Sequence, residues 1–246
     1  MNRYLLLGLR RHKGVIDNIK FKNMKEKIPV LYKNENEVWD VNMDVYNSAD
    51  LIVQTTDSCN KNCPDCYLTK NNIIKNNLSD IKYKDSISDL KEGQIIALRG
   101  GETTMIKDWF KKFITPALDK KLKVILETNG YFIGKEGYKD ILNEIARDDI
   151  FIRISFDPMH VMADDKDEEF KKMALFAKDA EENKINYGFY SLNLNQEQIM
   201  NFIKNTPLEP YIEKFRPLIK YNNISEVKIS GKYLKANGEI FDRING

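Results

Sequence analysis

All three cysteines of this 246-residue chain stand in one short run. Cys59, Cys63 and Cys66 follow the spacing C-x3-C-x2-C. Three thiolates at this spacing can hold three corners of a cubane iron–sulfur cluster and leave one iron without a protein ligand. An iron with an open position can bind and activate a second molecule. The run therefore predicts a [4Fe-4S] centre at which a further compound is bound.

Two other uses of cysteine compete with this interpretation. A structural disulfide would leave one cysteine over, and the apolar run within Met1–Arg11 is too short for a secretory signal. Zinc prefers four closed ligands, and the only imidazoles that could complete such a site, His12 and His160, are far from the cysteines in sequence. The cysteines thus favour an iron–sulfur cluster, with a zinc site as the alternative.

The charges of the chain nearly cancel, because 39 Lys and Arg residues stand against 37 Asp and Glu residues. A net charge of +2 gives no support for a nucleic-acid-binding surface. The sequence has no apolar stretch of the roughly 20 residues that cross a bilayer. We therefore expect a cytoplasmic protein without nucleic-acid or membrane partners, in a compartment that keeps thiols reduced.

From residue 51 onward, β-branched runs alternate with helical patterns, which is typical of parallel strands joined by helices. The predicted strands are Leu51–Thr56, Gln94–Leu98, Lys123–Thr128, Ile150–Ser155 and Asn186–Leu192. The predicted helices are Met105–Leu118, Tyr138–Ala146 and Glu168–Glu181. An open doubly wound sheet and a barrel both fit this alternation, but five or six such units are fewer than the eight of a full barrel.

The ends of the chain follow a different pattern. Ile28–Tyr32 with Glu37–Val41, and Glu226–Leu234 with Gly238–Phe241, predict two β-hairpins that pair with the sheet or cover its edge. The predicted organisation is a β-rich extension over residues 1–50, a core over 51–205, and a segment over 206–246 that completes or caps the core.

Polar residues follow three of the predicted strands, at the carboxyl ends where α/β folds bind ligands. The second strand is followed by two glycines and a carboxylate, the third by a polar turn, and the fourth by a hydroxyl and a carboxylate on one face. The residues concerned are Gly100, Gly101, Glu102, Thr128, Asn129, Ser155 and Asp157. The glycines allow the backbone to approach a ligand, and Glu102 suits an ammonium group.

From Leu51 to about Leu192, the chain resembles the radical S-adenosylmethionine (radical SAM) enzymes. The three cysteines match the cluster signature of that family, and Gly100, Gly101 and Glu102 match the motif that binds the amino group of S-adenosylmethionine (AdoMet). The resemblance implies a partial (βα)6 TIM-type barrel. It also implies that Thr128, Asn129, Ser155 and Asp157 line the pocket for the ribose and methionine parts.

One position departs from the family pattern. Many members carry an aromatic residue just before the third cysteine, near the adenine, whereas this chain has Asp65 there and Tyr67 just after Cys66. We take Tyr67 as the candidate for the adenine contact. His160 is a candidate proton donor or substrate contact, or a histidine exposed to solvent.

The resemblance implies a mechanism in which AdoMet binds the open iron. An electron from a flavodoxin- or ferredoxin-type reductant then cleaves AdoMet to a 5′-deoxyadenosyl radical, which abstracts a hydrogen atom from the substrate. No cysteine remains for an auxiliary cluster. We expect a peptide substrate, modified by epimerisation or crosslinking. The alternatives are a glycyl-radical enzyme activase, an enzyme of small molecules or nucleosides, and a zinc-stabilised binding module without catalysis.

Overall fold

A computed structural model describes residues 31–33, 39–41, 49–63, 66, 76–158, 161, 165–191, 194–217 and 232–242. At its start, strands β1 (Leu31–Lys33) and β2 (Trp39–Val41) pair in antiparallel fashion, with Leu31 opposite Val41. The predicted N-terminal hairpin is therefore confirmed. The boundary of the extension at residue 50 stays a prediction.

A larger sheet organises the rest of the described chain. Its strands are β3 (Leu51–Gln54), β4 (Ile95–Arg99), β5 (Lys123–Thr128), β6 (Ile150–Ser155), β7 (Asn186–Ser191), β8 (Phe215–Pro217), β9 (Lys232–Leu234) and β10 (Ile240–Asp242). They lie in the order β10-β9-β3-β4-β5-β6-β7-β8. Strands β3 to β8 run parallel in sequence order, and no pairing between described residues joins β8 to β10. This open parallel sheet confirms the predicted partial TIM-type barrel.

The segment after residue 205 contributes to both edges of this sheet. Strand β8 extends it beyond β7, whereas β9 pairs parallel to β3 at the other side. Strands β9 and β10 form the predicted hairpin, with Ile240 opposite Leu234 and the turn residue Gly238 at φ +87°. The C-terminal hairpin therefore pairs with the sheet instead of covering it.

Helices cover one face of the sheet. They are α1 (Asp80–Ile87), α2 (Thr115–Asp119), α3 (Tyr138–Ile145), α4 (Lys166–Glu182) and α5 (Gln196–Ile203), with 3-10 turns at Thr103–Met105 and Glu209–Lys214. The polar residues at their starts fit the unpaired N–H groups of a first turn. Asp165 accepts hydrogen bonds from the amides of Asp167 and Glu168, and Asn195 forms a capping box with Gln198. Within the described residues, no helix is long and apolar enough to span a bilayer.

The helix predicted over Met105–Leu118 is broken in the structure. Asp108 has a left-handed backbone (φ 57°), and a π-helical turn over Phe110–Ile114 precedes α2. Pro116 has no N–H group with which to continue the regular helical ladder, and the amide of Thr115 bonds to the Phe110 carbonyl in the π pattern. Three apolar side chains of this segment are nevertheless buried in the core: Trp109, Phe113 and Ile114.

The main core lies between the sheet and these helices. One residue in two along each strand points into it, such as Ile152 and Ile154 of β6. Near β8 it contains a cluster of phenylalanine rings centred on Phe156. The opposite, concave face has a smaller apolar cluster that includes Ile52, Ala97, Ile125, Phe151 and Tyr190.

Candidate functional site

The loop after β3, which carries the cysteines, is braced before the first of them. The Thr55 amide donates to the Arg99 carbonyl (2.7 Å), which extends the β3–β4 pairing. Asp57 is buried, and its carboxylate accepts hydrogen bonds from the Gln54 amide and from the backbone and side chain of Asn76. The path of the loop is therefore set by the core before the chain reaches Cys59.

The three thiols lie within electrostatic range of one another. Cys63 is buried, whereas Cys59 and Cys66 are half-buried, and the Cys66 amide donates to the Cys63 carbonyl (3.1 Å). Burial raises the pKa of Cys63 to about 11, and the charges of Cys59 and Cys66 add to the rise. In the described part of the chain, no three or more His, Cys, Asp or Glu side chains are gathered tightly enough to hold a single metal ion. Three thiols in one loop suit the sulfur-rich coordination of an iron–sulfur cluster.

Gly100 and Gly101 hold the β4 loop tightly against the cysteine loop. The amide of Gly101 donates to the Thr56 carbonyl and that of Glu102 to the Ser58 carbonyl, each at 2.7 Å. A Cβ atom on Gly101 would lie 2.0 Å from the Ser58 oxygen, and one on Gly100 2.5 Å from the Thr56 oxygen. The sequence predicted close approach to a ligand, but the close approach seen here is to the chain's own backbone.

Glu102 connects three loops through its buried carboxylate. Oε1 accepts hydrogen bonds from the Thr104 hydroxyl (2.6 Å), the Thr104 amide (3.1 Å) and the Thr128 hydroxyl (2.7 Å), while Oε2 accepts one from the Asn129 amide (2.6 Å). Burial raises the pKa of Glu102, and these hydrogen bonds oppose the rise. Three of these donors lie on Oε1 and one on Oε2, and the predicted contact of this carboxylate with a ligand ammonium stays a prediction.

Asn129 places an unsatisfied acceptor beside the first cysteine. Its Nδ2 donates to the Asn60 side chain (2.9 Å) and lies 3.5 Å from Cys59 Sγ. Its Oδ1 is buried and has no hydrogen-bond partner in the described residues. A buried acceptor without a donor costs free energy, so it indicates a place where a ligand can donate a hydrogen bond.

The ends of β6 and β7 meet the cysteine loop from the other side. Phe156 points into the aromatic cluster, so Ser155 and Asp157 turn the opposite way, as the alternation predicted. Ser155 is half-buried, while Asp157 is buried and accepts a hydrogen bond from the Ser191 hydroxyl (2.7 Å). The Asp157 charge adds to the raised pKa of Cys63.

A buried ion pair that the sequence did not predict anchors the cysteine loop to α4. Lys61 Nζ lies 3.2 Å from Glu169 Oε2, and the two side chains are only 1% and 9% exposed. The signal available in the sequence was the position of Lys61 between two cysteines. Its partner Glu169 lies more than 100 positions later, in a charge-rich helix whose sequence pattern is typical of a solvent-exposed face.

Most of the predicted site residues are thus brought together. The loops after β3, β4 and β5 converge through Glu102 and Asn129, and Asp157 approaches from β6. The predicted residues Tyr67 and His160, like Asp65, lie outside the described residues.

Comparison with known proteins gives a likeness in fold. No protein-family model matches the chain, and no curated protein sequence does so. The structure of native anSMEcpe with bound AdoMet and Cp18Cys peptide superposes with a TM-score of 0.50 at 16% identity, over 73% of this chain and 54% of that one. A hexahistidine-tagged form of anSMEcpe with bound AdoMet gives 0.51 at 16% identity, over 74% and 55%. SuiB of Streptococcus suis bound to S-adenosylmethionine gives only 0.46 at 14% identity, over 78% and 59%, and no conclusion rests on it.

The likeness to anSMEcpe shows that this chain shares the fold of a protein whose structures contain bound AdoMet. The chain spans about half the length of anSMEcpe.

Proposed function

We propose that this protein is a radical SAM enzyme. The observation that carries the proposal is that the loop with the three cysteines and Asn129, whose Oδ1 is unsatisfied and whose Nδ2 lies 3.5 Å from Cys59 Sγ, stand at the carboxyl ends of a partial parallel barrel. When bound, the [4Fe-4S] cluster supplies the electron that cleaves AdoMet to methionine and a 5′-deoxyadenosyl radical. Cys59, Cys63 and Cys66 would hold the cluster.

Around that centre, the chain's own residues bind and orient AdoMet. Asn129 Oδ1 would accept a hydrogen bond from a ligand N–H or O–H group, since it accepts none from the described protein. Ser155 and Asp157 would contact the ribose and methionine parts. Gly100, Gly101 and Glu102 would bind the amino group of AdoMet, and their hydrogen bonds also fix the cysteine loop and the Thr128–Asn129 turn. Tyr67 is our candidate for the adenine contact, and His160 for a proton donor.

The surroundings also restrict water. Four residues around the proposed centre are buried: Cys63, Glu102, Asn129 and Asp157. A bound cluster and AdoMet would exclude the remaining solvent from the site. A radical that abstracts hydrogen atoms needs such exclusion of competing donors.

The substrate that we propose is a peptide, with a flavodoxin- or ferredoxin-type protein as the electron donor. Support for the peptide comes from the structure of anSMEcpe, which contains a bound peptide together with AdoMet.

The test is anaerobic reconstitution of the full chain with iron and sulfide, followed by dithionite and AdoMet. We expect a brown protein with about four irons per chain and release of 5′-deoxyadenosine. Cys59→Ser, Cys63→Ser and Cys66→Ser should each abolish the release, while Ser88→Ala, at an exposed position beyond α1, should retain it. A colourless protein with one zinc per chain, or release that survives all three cysteine changes, would overturn the proposal.

A further inference from the structure

On the concave face of the sheet, the apolar side chains are followed by polar or charged ones two residues further along each of four neighbouring strands. Two residues beyond the apolar side chains of the concave cluster, and therefore on the same face, stand Gln54, Arg99, Glu127 and Arg153. We call these four residues the polar row. They lie side by side, since Gln54 is opposite Arg99 and Glu127 is opposite Arg153 in the strand pairing. The polar row is the last step of the concave face before the loops of the proposed AdoMet site.

Arg153 is the most buried charged residue of the polar row. Its side chain is 5% exposed, and its Nη1 donates to Glu127 Oε1 at 3.0 Å. A guanidinium has five N–H donors, and this hydrogen bond uses one. In the described residues, no other hydrogen bond of this side chain is found. The guanidinium therefore keeps donors that no described residue of the protein uses.

Tyr190 packs against that guanidinium. The central carbon of Arg153 lies 4.7 Å from the centre of the Tyr190 ring, within the range of a cation–π contact. Gly188, opposite Arg153 on β7, makes room for the ring, because a Cβ atom there would lie 2.9 Å from it. The guanidinium thus contacts the ring on one side and is paired with Glu127, and these two contacts restrict the directions of its remaining donors.

The stability of the fold does not by itself explain the buried Arg153–Glu127 pair. A buried ion pair commonly stabilises a fold no better than apolar residues of similar size, and the next step down the same face is apolar. A planar guanidinium with spare donors matches the two oxygens of a carboxylate. We propose that Arg153, oriented by Glu127 and Tyr190, binds a carboxylate of the substrate.

The substrate class is then a peptide or amino-acid derivative that carries a free carboxylate, on a side chain or at its C-terminus. This inference rests on the proposed function for the reaction that takes place there. The binding of a carboxylate can be measured without that reaction.

The test uses N-acetyl-L-alanine as the probe and N-acetyl-L-alaninamide as its uncharged match, with binding to the full chain followed by saturation-transfer NMR. We expect saturable binding of the carboxylate but not of the amide. Arg153→Gln should weaken the carboxylate binding by at least about tenfold. Arg147→Gln, at an exposed position just before β6, is the matched control and should leave the binding unchanged.

A second variant separates recognition from a merely structural pair. Glu127→Gln keeps a side-chain oxygen that can orient Arg153 but removes the negative charge that competes with the probe, so the probe should bind several-fold more tightly. If both variants weaken binding equally while circular dichroism shows folded protein, the pair is structural and the proposal fails. It also fails if the wild-type chain does not distinguish the two probes, or if Arg153→Gln weakens AdoMet binding as much as probe binding.

The outcome is distinguishable from that of the proposed function. Carboxylate-selective binding without release of 5′-deoxyadenosine would contradict the radical SAM assignment and leave the Arg153 site standing. Release of 5′-deoxyadenosine without selective binding would do the reverse.

Discussion

Strand β6 shows how differently the two faces of the sheet are built. Ile152 and Ile154 point into the helix-covered core, whereas Arg153, between them, lies on the concave face in an ion pair with Glu127. At the end of the strand the contrast repeats, because Phe156 enters the aromatic cluster while Asp157 turns to Ser191 and the cysteine loop.

The difference separates residues that stabilise the fold from residues that serve the site. Apolar contacts are non-directional, and many of them together hold the helices on the sheet. Buried charges stabilise only when each has its partner, so their positions are restricted by geometry. We therefore expect changes on the covered face to act on stability, and changes at the concave rim to act on the order of the site.

The largest effect should come from Phe156→Ala on the covered face. Its ring packs against Phe215 at 4.8 Å and Phe202 at 5.6 Å between centres, and the change leaves a cavity among them. The free energy of unfolding should fall by about 3 to 5 kcal/mol in chemical denaturation. Ser155→Ala, one residue earlier on the concave side, should change it by no more than about 0.5 kcal/mol. Similar losses of unfolding free energy for the two variants would contradict the difference between the two faces.

Glu169→Gln tests the ion pair that links the covered side to the rim. The change removes the carboxylate that pairs with the buried Lys61 ammonium and with Lys172, at a cost of about 3 kcal/mol in the free energy of unfolding. Hydrogen exchange should also rise in residues 57–63. The neighbouring Glu168→Gln is the control, since its pair with Lys171 is exposed and contributes less than about 1 kcal/mol. Unchanged exchange in the loop would show that Lys61 does not hold it.

Glu102→Gln should give a smaller, pH-dependent effect. Glutamine keeps the size but loses one acceptor, which costs about 1 to 3 kcal/mol at acid pH. Burial raises the pKa of Glu102 in the folded chain, so between the unfolded value and the raised one the folded chain binds more protons. The free energy of unfolding of the wild type, relative to the variant, should therefore fall as pH rises through the folded pKa. Urea denaturation between pH 4 and 8 measures this slope, and a rise would contradict it.

The smallest effect should come from a pair that belongs to neither face. Glu92 and Lys121 lie 3.2 Å apart with both side chains largely exposed. Glu92→Gln should change the free energy of unfolding by less than about 0.5 kcal/mol, and added salt should reduce that further. A thermal melt at low and high salt is sufficient to check it.

Patterns in the sequence were sufficient for the architecture. The five predicted strands form at the predicted places because β-branched residues and alternation with helices report burial directly. The interrupted helix over Met105–Leu118 was predicted as continuous, since its apolar spacing gives no sign of the left-handed Asp108. Likewise, the edge chosen by the C-terminal hairpin depends on pairing with β3, which local patterns do not record.

The sequence by itself determined that one C-x3-C-x2-C run follows the first strand of a parallel α/β core, with polar residues at the next strand ends. These features are local, and short-range spacing encodes them. Only the tertiary structure decided that Asn129 reaches Cys59 across 70 positions, that Lys61 pairs with Glu169, and that Arg153 stacks on Tyr190. Such contacts depend on how distant segments pack, because the energy of a buried charge or acceptor is set by its neighbours in space.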